Sequence, residues 1–163
     1  MMHIHKLKKY YFINEFNQNH LINLNKNISF IWRNKDKETP INTLIKLRDF
    51  CKKNQRNFYI SNNVKLAERL KANGVYISSF NKNLNLGINK FKKKFKILGS
   101  AHNLKEIKIK ELQNIEEIFL SPLFKEKTNK QLNIYKYLKL REITKMRDIS
   151  VSYTHLRAHE TTN

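Results

Sequence analysis

Small polar and basic side chains recur at one kind of place in this sequence, directly after short runs of bulky apolar residues. The residues concerned are Arg33, Lys35, Ser61, Asn62, Asn81, Ser100, His102 and Ser121. Arg33 and Lys35 lie two residues apart, so a planar guanidinium and an ammonium can share the oxygens of one phosphate. The serine hydroxyls and asparagine amides supply further hydrogen-bond donors. This set predicts a binding site for a phosphorylated small molecule.

The apolar runs have the length and composition of buried β-strands, and they alternate with amphipathic stretches of helical period. The predicted strands are Tyr10–Ile13, Ile28–Trp32, Asn57–Ile60, Gly74–Ile77, Phe95–Leu98 and Glu117–Leu120, and Ile149 would begin a seventh. The predicted helices are Ile41–Lys53, Val64–Lys71, Leu104–Gln113 and Asn133–Met146.

Alternating strands and helices of this kind predict an α/β protein with a parallel sheet. About six strand–helix units are present, so we interpret the fold as an incomplete (β/α)8 TIM barrel. In such a barrel the loops after the strands meet at one rim, which would bring the polar residues together. An open doubly wound sheet is the alternative, but its G-x-G-x-x-G signature does not follow the first strand.

Positive charge dominates the composition, with 33 Lys and Arg against 13 Asp and Glu and a net charge of +20. A basic surface attracts polyanions, and nucleic acid is one such partner. The lysines are scattered along the whole chain, however, and they accompany abundant Asn and Ile, as expected of an AT-rich coding sequence. The charge therefore favours a solvated basic surface over a nucleic-acid-binding function.

The cysteine content and the hydropathy pattern indicate where the protein works. Cys51 is the sole cysteine, so the chain cannot form an internal disulfide and suits a reducing compartment. No apolar run approaches the roughly 18 residues that span a bilayer. These features predict a cytoplasmic protein without a membrane partner. An incomplete barrel would also leave two unpaired sheet edges, which favours homo-oligomers or aggregation.

Residues 1–150 are predicted to form a single domain, and residues 151–163 differ from it in composition. Lysine is missing from residues 151–163, whereas two of the six histidines, His155 and His159, lie there. We interpret this segment as a non-native tail. A metal site on His155 and His159, which are spaced i, i+4, is the alternative.

Five short motifs within residues 30–128 have the order and spacing of the motifs of one family. They are Arg33-Asn34-Lys35, Ile60-Ser61-Asn62-Asn63-Val64-Lys65-Leu66-Ala67, Ala72-Asn73-Gly74-Val75-Tyr76-Ile77, Leu98-Gly99-Ser100-Ala101-His102-Asn103 and Phe119-Leu120-Ser121-Pro122-Leu123-Phe124. The series resembles the thiamine-phosphate synthase/TenI family, whose corresponding motifs are Q-x-R-x-K, I-N-D-x-x-x-L-A, A-D-G-V-H-L, G-x-S-x-H and G-x-G-P-x-F. The resemblance implies a (β/α)8 barrel and a role in thiamine biosynthesis.

Two activities are implied by this resemblance. A synthase joins an aminopyrimidine methyl pyrophosphate to a thiazole phosphate and releases pyrophosphate, whose charge Mg²⁺ stabilises. A TenI-type isomerase rearranges a thiazole carboxylate phosphate, and His102 would be its acid/base. The residues implied to contact the substrate and its phosphate are Arg33, Lys35, Ser61, Asn62, Asn81, Ser100, Ser121 and Thr128.

The sequence departs from the family pattern at two positions that matter for the metal. Asn62 and Asn81 stand where the family has the two carboxylates that hold Mg²⁺. Magnesium prefers charged oxygen ligands, so the expected cofactor is disfavoured and no metal ligand is predicted. A TenI-type isomerase and a non-catalytic binder of a phosphorylated ligand therefore stand beside the synthase. The local alternative for His102 is a helix-start residue, and the asparagines also suit turns.

Overall fold

In the computed structural model, which describes residues 8–33, 41–88, 94–120, 139 and 148–151, seven parallel strands form one sheet. The strands are β1 (Lys9–Ile13), β2 (Ile28–Trp32), β3 (Phe58–Ser61), β4 (Gly74–Ile77), β5 (Lys96–Ala101), β6 (Glu117–Leu120) and β7 (Asp148–Val151). The helices between them are α1 (Gln18–Ile22), α2 (Ile41–Lys53), α3 (Val64–Arg69) and α4 (Leu104–Leu112).

Each strand pairs in parallel with the next strand along the chain, from β1 to β7. A doubly wound sheet needs a point where the strand order reverses, and this order has none among the described residues. The sheet also curls. Tyr10 on β1 and Phe119 on β6 have ring centroids 4.8 Å apart, whereas five strand spacings in a flat sheet would separate them by about 24 Å. The predicted incomplete TIM barrel is therefore confirmed.

Alternate residues of the strands face the inside and the outside of the curled sheet. The inner cluster consists of Ile31, Tyr59, Tyr76, Leu98 and Phe119, with Tyr10 and Phe12 packed against it. The outer residues of the strands pack against the helices in a second, larger cluster. Strands buried on both faces read as continuous apolar runs, which is why the sequence pattern identified them.

A carboxylate joins the first and sixth strands inside the barrel. Glu117, at the start of β6, is buried, and its Oε2 accepts a hydrogen bond from the Tyr10 hydroxyl at 2.9 Å. The same oxygen receives the Lys8 ammonium at 3.2 Å. These contacts connect residues that are 107 and 109 positions apart in the chain.

Three of the described helices begin with an asparagine N-cap, and three are followed by a left-handed residue. The N-caps of α1, α3 and α4 are Asn17, Asn63 and Asn103, and each side chain accepts a hydrogen bond from the backbone N–H three residues on. Beyond α2, α3 and α4 the chain turns through a left-handed residue, with φ between 52° and 57°, at Gln55, Lys71 and Asn114. The N–H of the residue that follows each of these donates to the carbonyl five residues earlier in the chain, which is the Schellman arrangement.

The predicted element boundaries hold for most of the described chain, with two corrections. The fifth strand was predicted to end at Leu98, but β5 continues through Gly99 and Ser100 to Ala101. A side chain at Gly99 would come within 3.0 Å of Ile115, so glycine allows the helix side of the sheet to pack closely and does not mark a turn. Helix α1 was not predicted. The seventh strand is present, and the predicted helix 133–146 lies outside the described residues apart from residue 139.

The described part of the chain contains no helix that is both long and apolar enough to cross a membrane.

Candidate functional site

Arg33, which follows β2, lies above the aromatic interior at the carboxyl ends of the strands. The backbone N–H of Arg33 donates to the carbonyl of Ile13 at 2.8 Å, which continues the pairing of β2 with β1 by one residue. The half-buried Arg33 side chain lies over the ring of Phe12, with Cζ 5.9 Å from the ring centroid. Phe12 in turn contacts Tyr76 across the barrel, at 5.1 Å between centroids. One guanidinium therefore stands over the mouth of the barrel.

Tyr76 and Ser100 lie beneath this guanidinium. The Tyr76 hydroxyl donates to Ser100 Oγ at 2.8 Å, and both side chains are buried. Burial raises the pKa of Tyr76, while the hydrogen bond to Ser100 and the charge of Arg33 oppose the rise. The phenol is therefore neutral at physiological pH and acts as a hydrogen-bond donor.

The residues after β3 and β4 form a second group at the same rim. Asn62 is left-handed, with φ of 56°, and its Oδ1 accepts three hydrogen bonds. The donors are the Ser78 backbone N–H at 3.0 Å, the Ser78 hydroxyl at 2.9 Å and Asn81 Nδ2 at 3.4 Å. The Asn62 amide group donates to Ser61 Oγ at 3.3 Å. The structure thus brings the predicted residues Ser61, Asn62 and Asn81 together.

The magnesium ion that the family resemblance implies does not fit this group. All three donors to Asn62 Oδ1 occupy the oxygen that would have to face a cation, and one of them is the amide nitrogen of Asn81. Neither residue carries a negative charge, and Mg²⁺ is held in proteins chiefly by carboxylates. Within the described residues no three His, Cys, Asp or Glu side chains are grouped in a way that could hold a metal.

His102 lies at the same rim but turns to the start of α4. Its side chain is largely exposed, and Nδ1 lies 3.0 Å from Glu106 Oε2. The same carboxylate oxygen accepts the His102 backbone N–H at 2.8 Å, and Asn103 caps the helix at the N–H of Glu106. Burial alone would raise the pKa of Glu106, but the hydrogen bonds from His102 and Asn103 outweigh it and lower that pKa below its usual value. His102 is thus both a helix-start residue and one member of a histidine–carboxylate pair.

Sequence reasoning missed a buried lysine beneath the loop that follows β4. Lys110 on α4 is fully buried, and its Nζ donates to the backbone carbonyls of Ser78 at 2.8 Å and Asn81 at 2.7 Å and to Gln113 Oε1 at 2.8 Å. Burial lowers the pKa of Lys110 to about 8, against the opposing charge of Glu106. The available signal was its spacing of three residues from the buried Ile107, which places it on the inner face of the helix.

Three of the predicted site residues lie outside the described part of the chain, namely Lys35, Ser121 and Thr128. The remaining six are all at the carboxyl ends of β2 to β5 or in the loops that follow them. Three of the six are joined by direct hydrogen bonds: Ser61, Asn62 and Asn81.

A curled parallel sheet with polar side chains at its carboxyl rim defines a (β/α)-barrel protein. A family model described as thiamine monophosphate synthase matches residues 23–152, so the chain belongs to that family. Among solved structures, thiamine phosphate pyrophosphorylase from Pyrococcus furiosus is similar, with a TM-score of 0.62 at 14% identity over 90% of this chain and 75% of that chain. At this identity the likeness shows the shared fold. No curated protein matches the sequence.

Proposed function

We propose that this protein binds a phosphorylated thiazole or pyrimidine of thiamine biosynthesis at the carboxyl rim, without magnesium-dependent release of pyrophosphate. The observation that carries the proposal is the amide pair of Asn62 and Asn81, which are hydrogen-bonded to each other through Nδ2 and Oδ1 at 3.4 Å. Membership of the thiamine monophosphate synthase family supports the ligand class.

The chemistry of pyrophosphate release explains why the amide pair matters. A departing pyrophosphate accumulates negative charge, and the barrier falls only if fixed positive charge meets it in the transition state. Two carboxylates would recruit a divalent cation for that purpose, whereas two neutral amides do not. Arg33 supplies one positive charge over the barrel mouth, which suits a single phosphate group. Binding of a monophosphate therefore fits this rim better than transfer from a pyrophosphate.

An aromatic floor of Phe12, Tyr76 and Phe119 suits a heteroaromatic ligand. Phe12, Tyr76 and Phe119 are in mutual contact below Arg33, with ring centroids 5.1 to 6.4 Å apart. A ring that enters the mouth would meet this floor while its phosphate meets the guanidinium. Edge and face contacts between aromatic rings add about 0.5–1.5 kcal/mol beyond the burial of area.

A TenI-type isomerase is the second candidate, and the pairing of His102 with Glu106 favours it. The carboxylate holds Nδ1 at 3.0 Å, which fixes the orientation of the ring and leaves Nε2 for a substrate proton. An isomerisation of this kind removes a proton from one carbon and returns it to another, so one histidine can serve as base and then as acid. It needs no metal ion, and it would proceed at the same rim.

The binding proposal is tested by calorimetric titration of the 163-residue protein with thiazole phosphate, thiazole carboxylate phosphate and the pyrimidine pyrophosphate. We expect at least one monophosphate to bind with the same affinity in Mg²⁺ and in EDTA. Arg33→Ala should weaken that binding about tenfold or more, since a charge-assisted phosphate contact is lost. Arg69→Ala, at an exposed arginine on α3, is the matched control and should bind like the wild type. Affinity that requires Mg²⁺, or equal effects of the two substitutions, would contradict the proposal.

Activity assays separate the candidates. The double substitution Asn62→Asp and Asn81→Asp should restore a metal-binding pair if the rim retains the remaining machinery of a synthase, and thiamine phosphate should then form only with Mg²⁺. Without such a gain, binding without transfer is supported. Conversion of thiazole carboxylate phosphate to its isomer, followed by NMR and abolished by His102→Ala, would establish the second candidate.

A further inference from the structure

The loop of residues 78–83, which follows β4 and carries Asn81, accepts hydrogen bonds from the side chains of Lys110 and Gln113. Lys110 Nζ and Gln113 Nε2 both donate to the carbonyl of Asn81, at 2.7 Å and 3.0 Å. Lys110 also reaches the Ser78 carbonyl, and Gln113 reaches that of Asn83. Residues 78 and 83, the two ends of the loop, are thus hydrogen-bonded to Lys110 of α4 and to Gln113, the C-cap of that helix.

A lysine is unusual at a fully buried position such as that of Lys110. A buried ammonium loses its hydration, and this loss is normally offset by a carboxylate partner. The three oxygens around Lys110 Nζ are neutral, two from the backbone and one from the Gln113 amide. The carboxylate whose charge acts on Lys110 is Glu106, whose oxygens accept hydrogen bonds from His102 and Asn103. The ammonium group has three N–H donors, and these three oxygens provide one acceptor for each of them.

The same loop reaches the substrate side through Asn81 and Ser78. On its upper side Asn81 Nδ2 and the N–H and hydroxyl of Ser78 all point to Asn62 Oδ1. On its lower side the carbonyls of the same two residues point to the Lys110 ammonium. The loop therefore lies between the Lys110 ammonium and Asn62 at the rim.

We infer that Lys110 is a positioning residue whose buried ammonium fixes the loop 78–83 and, through Asn81 and Ser78, sets the orientation of Asn62 at the rim. In this arrangement the Lys110 ammonium holds the loop after β4, and the hydrogen bonds from Ser78 and Asn81 to Asn62 Oδ1 connect that loop to the end of β3. The inference rests on the proposed function for the identity of the ligand, but the order of the loop can be tested without any ligand.

The first test measures hydrogen exchange at the backbone amides of Ser78, Asn81 and Asn83, which donate to Asn62 Oδ1, the Ser78 carbonyl and Asn81 Oδ1 respectively. Lys110→Met keeps an unbranched side chain as far as Cε and removes the ammonium group. It should speed exchange at these three amides by about tenfold or more, because the buried loop carbonyls lose their donor. Lys108→Met, at an exposed lysine on the same helix, should leave them unchanged. Wild-type exchange rates in Lys110→Met would overturn the inference.

The second test asks whether the loop matters for the site. Titration with thiazole phosphate should show affinity about tenfold weaker in Lys110→Met than in Lys108→Met. Adding propylammonium to a Lys110→Ala variant should restore both the protection and the affinity, whereas tetramethylammonium, which has no N–H donor, should not. A purely structural role would lower the melting temperature without this selective rescue. Faster loop exchange with unchanged affinity would likewise refute the positioning role.

Two cases need a separate interpretation, namely a Lys110→Met variant that does not fold and a wild-type protein that does not bind thiazole phosphate. If Lys110→Met does not fold, Gln113→Met replaces it, since this change removes one acceptor of Lys110 and both loop contacts of Gln113. It should show faster exchange at the same three amides, and unchanged exchange would count against the inference. If the wild-type protein does not bind thiazole phosphate, the proposed function fails, while the exchange data still decide the role of Lys110.

Discussion

Replacing Tyr10 with phenylalanine tests the contact that joins the first and sixth strands inside the barrel. The Tyr10 hydroxyl donates at 2.9 Å to Glu117 Oε2, on a side chain that is 4% exposed. Losing a hydrogen bond to a buried charged acceptor costs about 1.5–3 kcal/mol. The Lys8 contact to the same oxygen would persist, but this lysine is 46% exposed, and such an ion pair contributes about 0–1 kcal/mol. We therefore expect Tyr10→Phe to lower the free energy of unfolding by about 2 kcal/mol.

The assay is urea denaturation followed by circular dichroism, with Tyr11→Phe as the matched control. The Tyr11 hydroxyl lies 3.3 Å from His20 Nε2 at the protein surface, so its removal should cost less than about 0.5 kcal/mol. In a double-mutant cycle with Glu117→Gln, the coupling between residues 10 and 117 should exceed about 1 kcal/mol. Equal effects of Tyr10→Phe and Tyr11→Phe, or additivity with Glu117→Gln, would show that the cross-barrel bond does not stabilise the fold.

Three further predictions concern packing, thiol reactivity and pH. Gly74→Ala would place a Cβ 1.9 Å from the carbonyl oxygen of Lys96, which must push β4 from β5 and should cost about 2 kcal/mol or more in urea unfolding. Burial raises the pKa of Cys51 to about 12, so iodoacetamide at pH 8 should label the folded protein far more slowly than the unfolded protein. The lowered pKa of Glu106 contributes stability at neutral pH that is lost as acid protonates the folded carboxylate, so the stability difference from Glu106→Gln should shrink as the pH falls through that lowered pKa.

Each of these three has its own control. Gly87→Ala has no atom within 4 Å of the added Cβ, so its effect reports the φ of 63° alone and should stay near 1 kcal/mol. For Cys51, labelling that is as fast in buffer as in urea would contradict burial of the thiol. For Glu106, a pH profile of Glu106→Gln that stays parallel to that of the wild type would refute the argument that the hydrogen bonds from His102 and Asn103 stabilise the folded carboxylate.

Strands β2, β3, β4 and β6 were predictable from the sequence because they are buried on both faces and consist mainly of apolar residues. The rim was predictable for a related reason, since the carboxyl ends of parallel strands in a barrel meet on one side. Asn62 and Asn81 are 19 residues apart and were nevertheless expected to be neighbours, as the structure confirms. The resemblance to the family depended on the same loops, and the family match confirms it.

The sequence could not predict the hydrogen bonds between residues that are far apart in the chain. A lysine in a helix is read as exposed, and the acceptors that allow Lys110 to be buried lie 29 and 32 residues away. Ser100 after Gly99 looks like a turn, but the Tyr76 hydroxyl satisfies it within the sheet. The partner of Glu117 is 107 residues distant, beyond any local pattern. Residue propensities predict single helices and strands. The buried polar groups of Lys110, Ser100 and Glu117, in contrast, find their hydrogen-bond partners only when the sheet has curled.

The three left-handed helix ends connect the composition of the gene to the stability of the protein. Gln55, Lys71 and Asn114 hold a conformation that glycine adopts without steric cost, yet the chain has three glycines in all and none at these positions. Glycine codons begin with two guanines, whereas lysine and asparagine codons begin with two adenines. Replacing each of the three by glycine should add about 0.5–1 kcal/mol to the free energy of unfolding. A composition poor in glycine and rich in lysine and asparagine therefore places residues that carry a Cβ at these helix ends, where each left-handed residue adds backbone strain.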